Sequence, residues 1–240
     1  MKIDRKLAVC AFLALTVNAG RMFAQGQTSA QTKPGDNCSE LVELTSKLES
    51  QLARLKDWPD LARYRDANAK LTPPAKEEQR VVFMGDSITD MWVLPRLGGF
   101  FPGKPYVDRG ISGQTTPQML LRFRADVLAL QPRVVVILAG TNDIAGNTGP
   151  ITLEETEGYL ASMVELARAN AIRVVLASVM PVSNYGQDGE GKPLDMRLKR
   201  PPEKILELNT WIKKHAADRG LSISIILARW WTTKVCSKKN

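Results

Sequence analysis

From Arg80 onward the chain alternates short apolar runs with stretches of helical periodicity. Val81–Met84, Val134–Leu138 and Ile172–Val179 are continuous and rich in β-branched residues, the pattern of strands buried on both faces. Between and after them, residues 115–130, 152–170 and 201–219 space their apolar positions three and four apart, which predicts helices. Two helix starts sharpen the reading. Thr116-Pro117 puts proline in a first turn, and Thr152 with Glu155 forms a capping box ahead of Leu160, Met163, Val164 and Ala167. Tyr106-Val107-Asp108 reads as a further short strand and Leu221–Leu227 as a last one. Alternation of this kind predicts an α/β fold: one domain, three αβα layers, a parallel flavodoxin-like sheet.

Upstream the pattern changes. Leu41, Leu44, Leu48, Leu52 and Leu55 predict a helix that Asp57-Trp58-Pro59-Asp60 breaks, and Leu61–Leu71 predicts a second one ending before Pro73-Pro74. Residues 25–37 are rich in Gln, Thr, Ser, Gly and Pro and read as a flexible linker. In the first 24 residues, Lys2, Arg5 and Lys6 precede the apolar run Leu7–Val17, which is too short to span a bilayer and fits a secretory signal cleaved after Ala19 or Ala24. The expected organisation is a signal peptide over 1–24, a linker over 25–37, N-terminal helices over 38–75 and the α/β domain over 76–240. Secretion or a periplasmic location follows, with no membrane span after cleavage.

A chain of 240 residues suffices for one such domain and its appendages. Its formal net charge of +8 suggests nucleic acid until it is located: +3 falls in residues 1–24 and +4 in 229–240, leaving about +1 between them. No nucleic-acid partner is expected. Cys10 leaves with the signal, and Cys38 and Cys236 have no spacing that predicts a disulfide framework or a metal site. No motif implies a metal or an organic cofactor, none is expected, and oligomeric state is unreadable.

In an open parallel sheet, ligands bind beyond the carboxyl ends of the strands. Three polar, glycine-containing loops fall there: Gly85-Asp86-Ser87-Ile88-Thr89-Asp90, Arg109-Gly110-Ile111-Ser112-Gly113-Gln114-Thr115, and Gly140-Thr141-Asn142-Asp143. Singly each is an ordinary turn. Together they supply what acyl transfer needs. Ser87, at a strand-to-helix turn, would present a hydroxyl with its own N–H beside it. The N–H of Gly110 and the side-chain amide of Asn142 would be further donors to a developing oxyanion.

Through Gly-Asp-Ser-Ile-Thr, Arg-Gly-Ile-Ser-Gly-Gln-Thr-Thr and Ala-Gly-Thr-Asn-Asp-Ile, residues 80–180 resemble the GDSL, or SGNH, hydrolases. The resemblance implies Ser87 as nucleophile, Gly110 and Asn142 as oxyanion donors, and a serine esterase acting through an acyl-enzyme. Short-chain O-acyl esters, acetylated carbohydrates among them, are the expected substrates, so a small-molecule or glycan ester is the expected partner. The family also carries Asp-x-x-His near its C-terminus, and these 240 residues do not contain it. The one histidine, His215, precedes Asp218 and lies in the last turn of a helix leading into the last strand, hence near the amino edge of the sheet, whereas Ser87 lies beyond the carboxyl edge. The tail from Ala228 to Lys239, with Trp230-Trp231 and a basic end, suits no α/β edge. Read in the adjacent frame, its codons permit a segment resembling the family's stretch just before Asp-x-x-His, so a frameshifted end and impaired activity are expected. A noncatalytic module that binds an acylated glycan is the other reading.

Overall fold

A computed structural model describes residues 34–94, 100–182 and 195–224; the tail from Ile225, including Trp230-Trp231, lies outside the described residues. Two compact units emerge, divided between Asp57 and Trp58. In the first, helix α1 spans Pro34–Lys56, starting inside the stretch expected to be linker, and carries a Glu43–Lys47 ion pair one turn apart at 2.7 Å.

The second unit begins at Trp58. Its elements in chain order are α2 (Arg65–Lys70), β1 (Val81–Gly85), α3 (Ser87–Asp90), β2 (Tyr106–Gly110), α4 (Thr116–Asp126), β3 (Val134–Leu138), α5 (Thr141–Ile144), α6 (Leu153–Ala169), β4 (Arg173–Ala177), α7 (Met196–Lys199), α8 (Pro202–Arg219) and β5 (Ser222–Ser224). All five strands run parallel in the order β2-β1-β3-β4-β5, the flavodoxin-like order with its switch point between β1 and β3. The segment expected among the leading helices is fastened to this unit by side chains of α4 and its approach: Gln114 and Gln118 donate to the carbonyls of Pro59 (2.7 Å) and Trp58 (2.6 Å), and Asn68 donates to Asp126 at 2.7 Å.

Burial along the strands alternates rather than staying continuous. Val82 and Met84, Val135 and Ile137, Val174 and Leu176 are fully buried, while their neighbours Val81 and Phe83, Val134 and Val136, and Val175 are half-buried. The dry face packs against Met119 and Phe123 of α4, Leu160, Met163 and Val164 of α6, and Ile205, Leu208 and Ile212 of α8, forming one core. On the opposite face, Phe83 joins an aromatic cluster with Trp92, Phe100, Phe101 and Tyr106, at centroid separations of 5.1 to 6.1 Å.

Both helix starts form: Pro117 lies in the first turn of α4, where Thr115 and Gln118 add a capping box that the sequence reading did not include, and Thr152 and Glu155 close the expected one at α6. β4 is shorter than its apolar run because the run leaves the sheet early: the side chain of Asn209 on α8 accepts from the N–H of Val179 at 2.8 Å and donates to its carbonyl at 2.9 Å, replacing ladder bonds.

Candidate active site

The three loops leave β1, β2 and β3, three adjacent strands in which Gly85, Gly110 and Leu138 stand at one level. Glycine is required at the first two for space. A Cβ on Gly85 would lie 2.1 Å from Thr89 Oγ1 and 3.1 Å from the carbonyl oxygen of Leu138; one on Gly110 would lie 2.1 Å from the backbone nitrogen of Asp90. Helix α3 therefore folds back directly over the ends of β1 and β2, which sets Ser87, its first residue, at the carboxyl edge.

Asp86 caps that helix through Oδ1, which accepts from the N–H of Ile88 at 2.9 Å. Its other oxygen is buried with no partner among the described residues. Burial pushes this carboxyl up to about 6; the Ile88 hydrogen bond opposes the rise, Asp143 adds to it and Arg200 opposes it. Ser87 is half-buried, and neither its hydroxyl nor its N–H has a hydrogen-bond partner among the described residues.

The second loop is tied to the first. The N–H of Ile111 donates to the carbonyl of Gly85 at 3.0 Å, and Ser112 donates to Asp90 Oδ2 through its N–H (3.0 Å) and its hydroxyl (2.5 Å). Gly110, the donor expected from the sequence, has its amide engaged. The N–H of Gly110 already donates to Asp108 Oδ1 at 2.7 Å, and its carbonyl accepts from the Tyr64 hydroxyl. Going along the loop, the amides of Ile111, Ser112, Gln114, Thr115 and Thr116 are likewise engaged, with Gly85, Asp90, Ile111, Gln118 and Asp143. Among the described residues, Gly113 alone in this loop has an N–H without an acceptor. It sits at φ +82, a conformation that favours glycine.

In the third loop Asn142 is 3 % exposed. Its Nδ2 donates to the carbonyl of Gln114 at 2.9 Å, which draws it to the residue beside Gly113, and its Oδ1 accepts from Arg200 at 3.1 Å. Asp143 Oδ1 accepts from both the N–H (2.9 Å) and the hydroxyl (2.5 Å) of Thr116, joining α5 to the start of α4, while Oδ2 is buried without a partner among the described residues. Burial raises this carboxyl, against the two Thr116 bonds.

Two arginines that the sequence reading did not single out complete the arrangement. Arg122, fully buried on α4, donates to the carbonyl of Gly85 (3.1 Å), to Gln114 Oε1 (2.6 Å) and to Asp126 (3.0 Å), so one guanidinium holds both loops. A charged residue on the face that carries Met119 and Phe123, one turn before Asp126, was the available signal. Arg200 stands directly before Pro201-Pro202 and reaches Asn142 from the other side.

His215 lies where the sequence argument puts it, on the last turns of α8, ahead of the amino end of β5. It is buried, stacked on Trp211 at a centroid distance of 4.4 Å, and its Nδ1 accepts from Arg219 at 3.2 Å. Burial first, then Arg219, hold its pKa below the ordinary value. Among the described residues no group of three or more His, Cys, Asp or Glu could hold a metal ion.

A family model described as the GDSL-like lipase/acylhydrolase family matches residues 83–231. Among solved structures, the chain is similar to a GDSL-like lipase from Bacteroides thetaiotaomicron, with 45 % identity, a TM-score of 0.61, and coverage of 69 % of this chain and 77 % of that one. A structure from Bacteroides fragilis is similar at 43 % identity and a TM-score of 0.63, covering 71 % and 78 %. Among curated proteins, esterase TesA of Pseudomonas aeruginosa is 32 % identical over 119 residues (45 % of this chain, 58 % of that one). An acetylxylan esterase of Geobacillus stearothermophilus is 25 % identical over 146 residues (49 % and 67 %). The chain spans 35 % and 58 % of the lengths of the first two curated relatives it matches.

Proposed function

The chain belongs to the GDSL-like lipase/acylhydrolase family, and from that membership we propose that it is a serine esterase for short-chain O-acyl esters, acetylated carbohydrates among them, with Ser87 as nucleophile. Ser87 Oγ attacks the ester carbonyl carbon, the ester C–O bond breaks, the alcohol leaves with a proton, and the acyl group remains on Oγ until water removes it. The negative charge that develops on the carbonyl oxygen is met by the N–H of Ser87, the second Nδ2–H of Asn142 and the N–H of Gly113. Gly113 replaces Gly110 in this role because the amide of Gly110 is held by Asp108. The observation that carries the reading is this cluster: a hydroxyl and two backbone amides lacking partners among the described residues, on two loops tied together through Asp90, with Asn142 linked to the second at Gln114.

Within these 240 residues the one imidazole stands at the other edge of the sheet, so the proton of Ser87 has no histidine to receive it. Acylation is then slow, as expected when one triad member is missing and oxyanion stabilisation and binding remain, about 10³- to 10⁴-fold over water. Deacylation needs the same base, and with an activated aryl ester, whose leaving group departs without protonation, it is the slower step, so the acyl-enzyme accumulates. Among the described residues no helix is long and apolar enough to cross a membrane. The acetylxylan esterase among the relatives supports the acetylated-carbohydrate part of the proposal.

The test is hydrolysis of 4-nitrophenyl acetate by the chain and its Ser87→Ala variant, with intact-mass measurement of the protein. The expected result is slow turnover above background and a 42 Da acyl adduct, as calculated for replacing the hydroxyl hydrogen by acetyl, both lost in Ser87→Ala. Equal rates and no adduct would reject the enzyme reading for this chain and favour a module that binds acylated glycans without turning them over.

A further inference from the structure

Arg200 stands out because its interactions converge on one side chain of the proposed site. It is half-buried; its Nε donates to the carbonyl (3.2 Å) and hydroxyl (3.1 Å) of Thr141, and a terminal nitrogen donates to Asn142 Oδ1 at 3.1 Å. Among the described residues it makes no ion pair within 4 Å, so its charge is not neutralised by a contacting carboxylate. Burial lowers its pKa and the charge of Asp86 opposes that.

The local sequence holds it there. Arg200 precedes Pro201, which disfavours helix at position 200, and its backbone sits at φ −134, ψ 74, closing α7 through an N–H bond to Met196 before α8 begins at Pro202. Helix α8 is itself fixed at the carboxyl edge: Asn209 clips the backbone of Val179, and Leu208 occupies the space beside Gly140, where a Cβ would lie 2.5 Å from its Cδ2. Arg200 thus reaches Asn142 from just ahead of a helix anchored at that edge.

We propose that Arg200 is a positioning residue that fixes the orientation of the Asn142 carboxamide. The inference rests on the assignment of Asn142 as an oxyanion donor. A guanidinium has donors and no acceptor, so it can meet only the amide oxygen; the backbone carbonyl of Gln114 only accepts, so it can meet only the amide nitrogen. A half-turn of the amide would set N–H against N–H and oxygen against oxygen. With both partners in place, one Nδ2–H is bound to Gln114 and the other is left for the substrate oxygen. Removing Arg200 leaves Gln114 as the one hydrogen-bond restraint among the described residues, so orientation is weakened without loss of the amide.

Arg200→Met, which removes the donors, and Arg200→Lys, which keeps one, test this beside the parent. The first readout is the Asn142 side-chain amide pair in a ¹⁵N-labelled protein, identified by its disappearance in Asn142→Ala. Arg200→Met should shift and broaden that pair with the melting temperature within a few degrees of the parent, and Arg200→Lys should move it less. The second is turnover of 4-nitrophenyl acetate: Arg200→Met should lower kcat about tenfold with KM little changed, consistent with loss of one charge-assisted hydrogen bond. In an Asn142→Ala background the same change should do nothing further. An unshifted amide pair, or an equal loss of kcat with and without Asn142, overturns the proposal. If Arg200→Met does not fold, the Arg200→Lys spectrum and the Lys double variant decide by the same criteria. If Ser87→Ala leaves turnover unchanged, the esterase reading fails, while the spectrum still decides what orients Asn142.

Discussion

The amino and carboxyl edges of the sheet both bury charged side chains, and they treat them differently. At the amino edge Arg80, just before β1, engages every nitrogen: with Glu78 at 2.8 Å, the carbonyl of Leu130 at 3.0 Å and that of Thr72 at 2.9 Å. At the carboxyl edge Asp86 and Asp143 each keep one buried oxygen without a partner among the described residues, and Ser178, just past β4, keeps its hydroxyl so. Buried polar groups are normally satisfied, because an unsatisfied one costs about 1 to 3 kcal/mol. A further unsatisfied oxygen, Asp108 Oδ2, lies midway along β2, but three such groups stand at the edge that carries Ser87, Gly113 and Asn142, which marks that edge as one organised for something other than stability. The amino edge has its own exception, His215 Nε2.

The largest effect should come from Asn142→Ala. Losing one oxyanion donor costs about 2.7 to 4 kcal/mol of transition-state stabilisation, roughly 10²- to 10³-fold in kcat. Turnover of 4-nitrophenyl acetate in the variant measures it, and a change under threefold would remove Asn142 from the donor set. The choice between the two glycines is sharpened separately: labelling Ser87 with a phosphonate ester should move the backbone amide resonance of Gly113 and leave that of Gly110 in place.

Next in size is the cost of keeping Asp86 charged. A carboxyl moved by burial from 3.8 to about 6 binds its proton more tightly in the folded protein. Its favourable contribution is therefore fully present below about pH 4 and is lost as the pH rises through about 6. The displacement corresponds to about 3 kcal/mol at most. Asp86→Asn keeps a good helix cap and removes the charge, so it should melt higher than the parent at pH 8 and lose that advantage by pH 4. An advantage independent of pH would mean that the buried oxygen is not the source.

A pair of glycines comes third. Gly85→Ala puts a methyl group against Thr89 and the carbonyl of Leu138 and should cost about 1 to 3 kcal/mol together with esterase activity. Gly220, at the amino edge, has open space around it and only a positive φ of +63, so Gly220→Ala should cost about 1 kcal/mol and leave turnover alone. Chemical denaturation and the ester assay on both variants measure the contrast, and it fails if Gly220→Ala is the more damaging to activity.

How much of this edge was legible beforehand follows from range. Parallel strands and their loops are local patterns, so Val81–Met84 and Val134–Leu138, the capping box at Thr152 and the three loops were readable. Gly110 and Gly113 share one loop, and what tells them apart is that the amide of Gly110 donates to Asp108, a side-chain contact that sequence spacing does not encode. Arg122 and Arg200 act through carbonyls and amides far away in the chain, and no spacing rule encodes a guanidinium at the junction of two loops. β4 ended early for the same reason: the side chain that stops it, Asn209, is 30 residues on. The start of the compact unit at Trp58 was hidden too, since its ties are backbone carbonyls accepting from distant glutamines.

The smallest expected effect is the most demanding of the two-edge comparison. His215 is held by Trp211 and Arg219 one helical turn to either side of it, and Glu165 of α6 lies 3.8 Å from Arg219. Because an arginine only donates, His215 Nδ1 accepts and the ring is neutral with its proton on Nε2. A ring so fixed belongs to the packing of α8. His215→Gln should cost about 1 kcal/mol in denaturant and leave turnover of 4-nitrophenyl acetate within twofold, with no loss of the acyl adduct on Ser87. The rate of the parent should rise with pH through 6 to 8 without the inflection that a histidine base would impose. A tenfold fall in His215→Gln, or such an inflection abolished by it, would bring an imidazole from the amino edge into the chemistry of the carboxyl edge and dissolve the distinction between them.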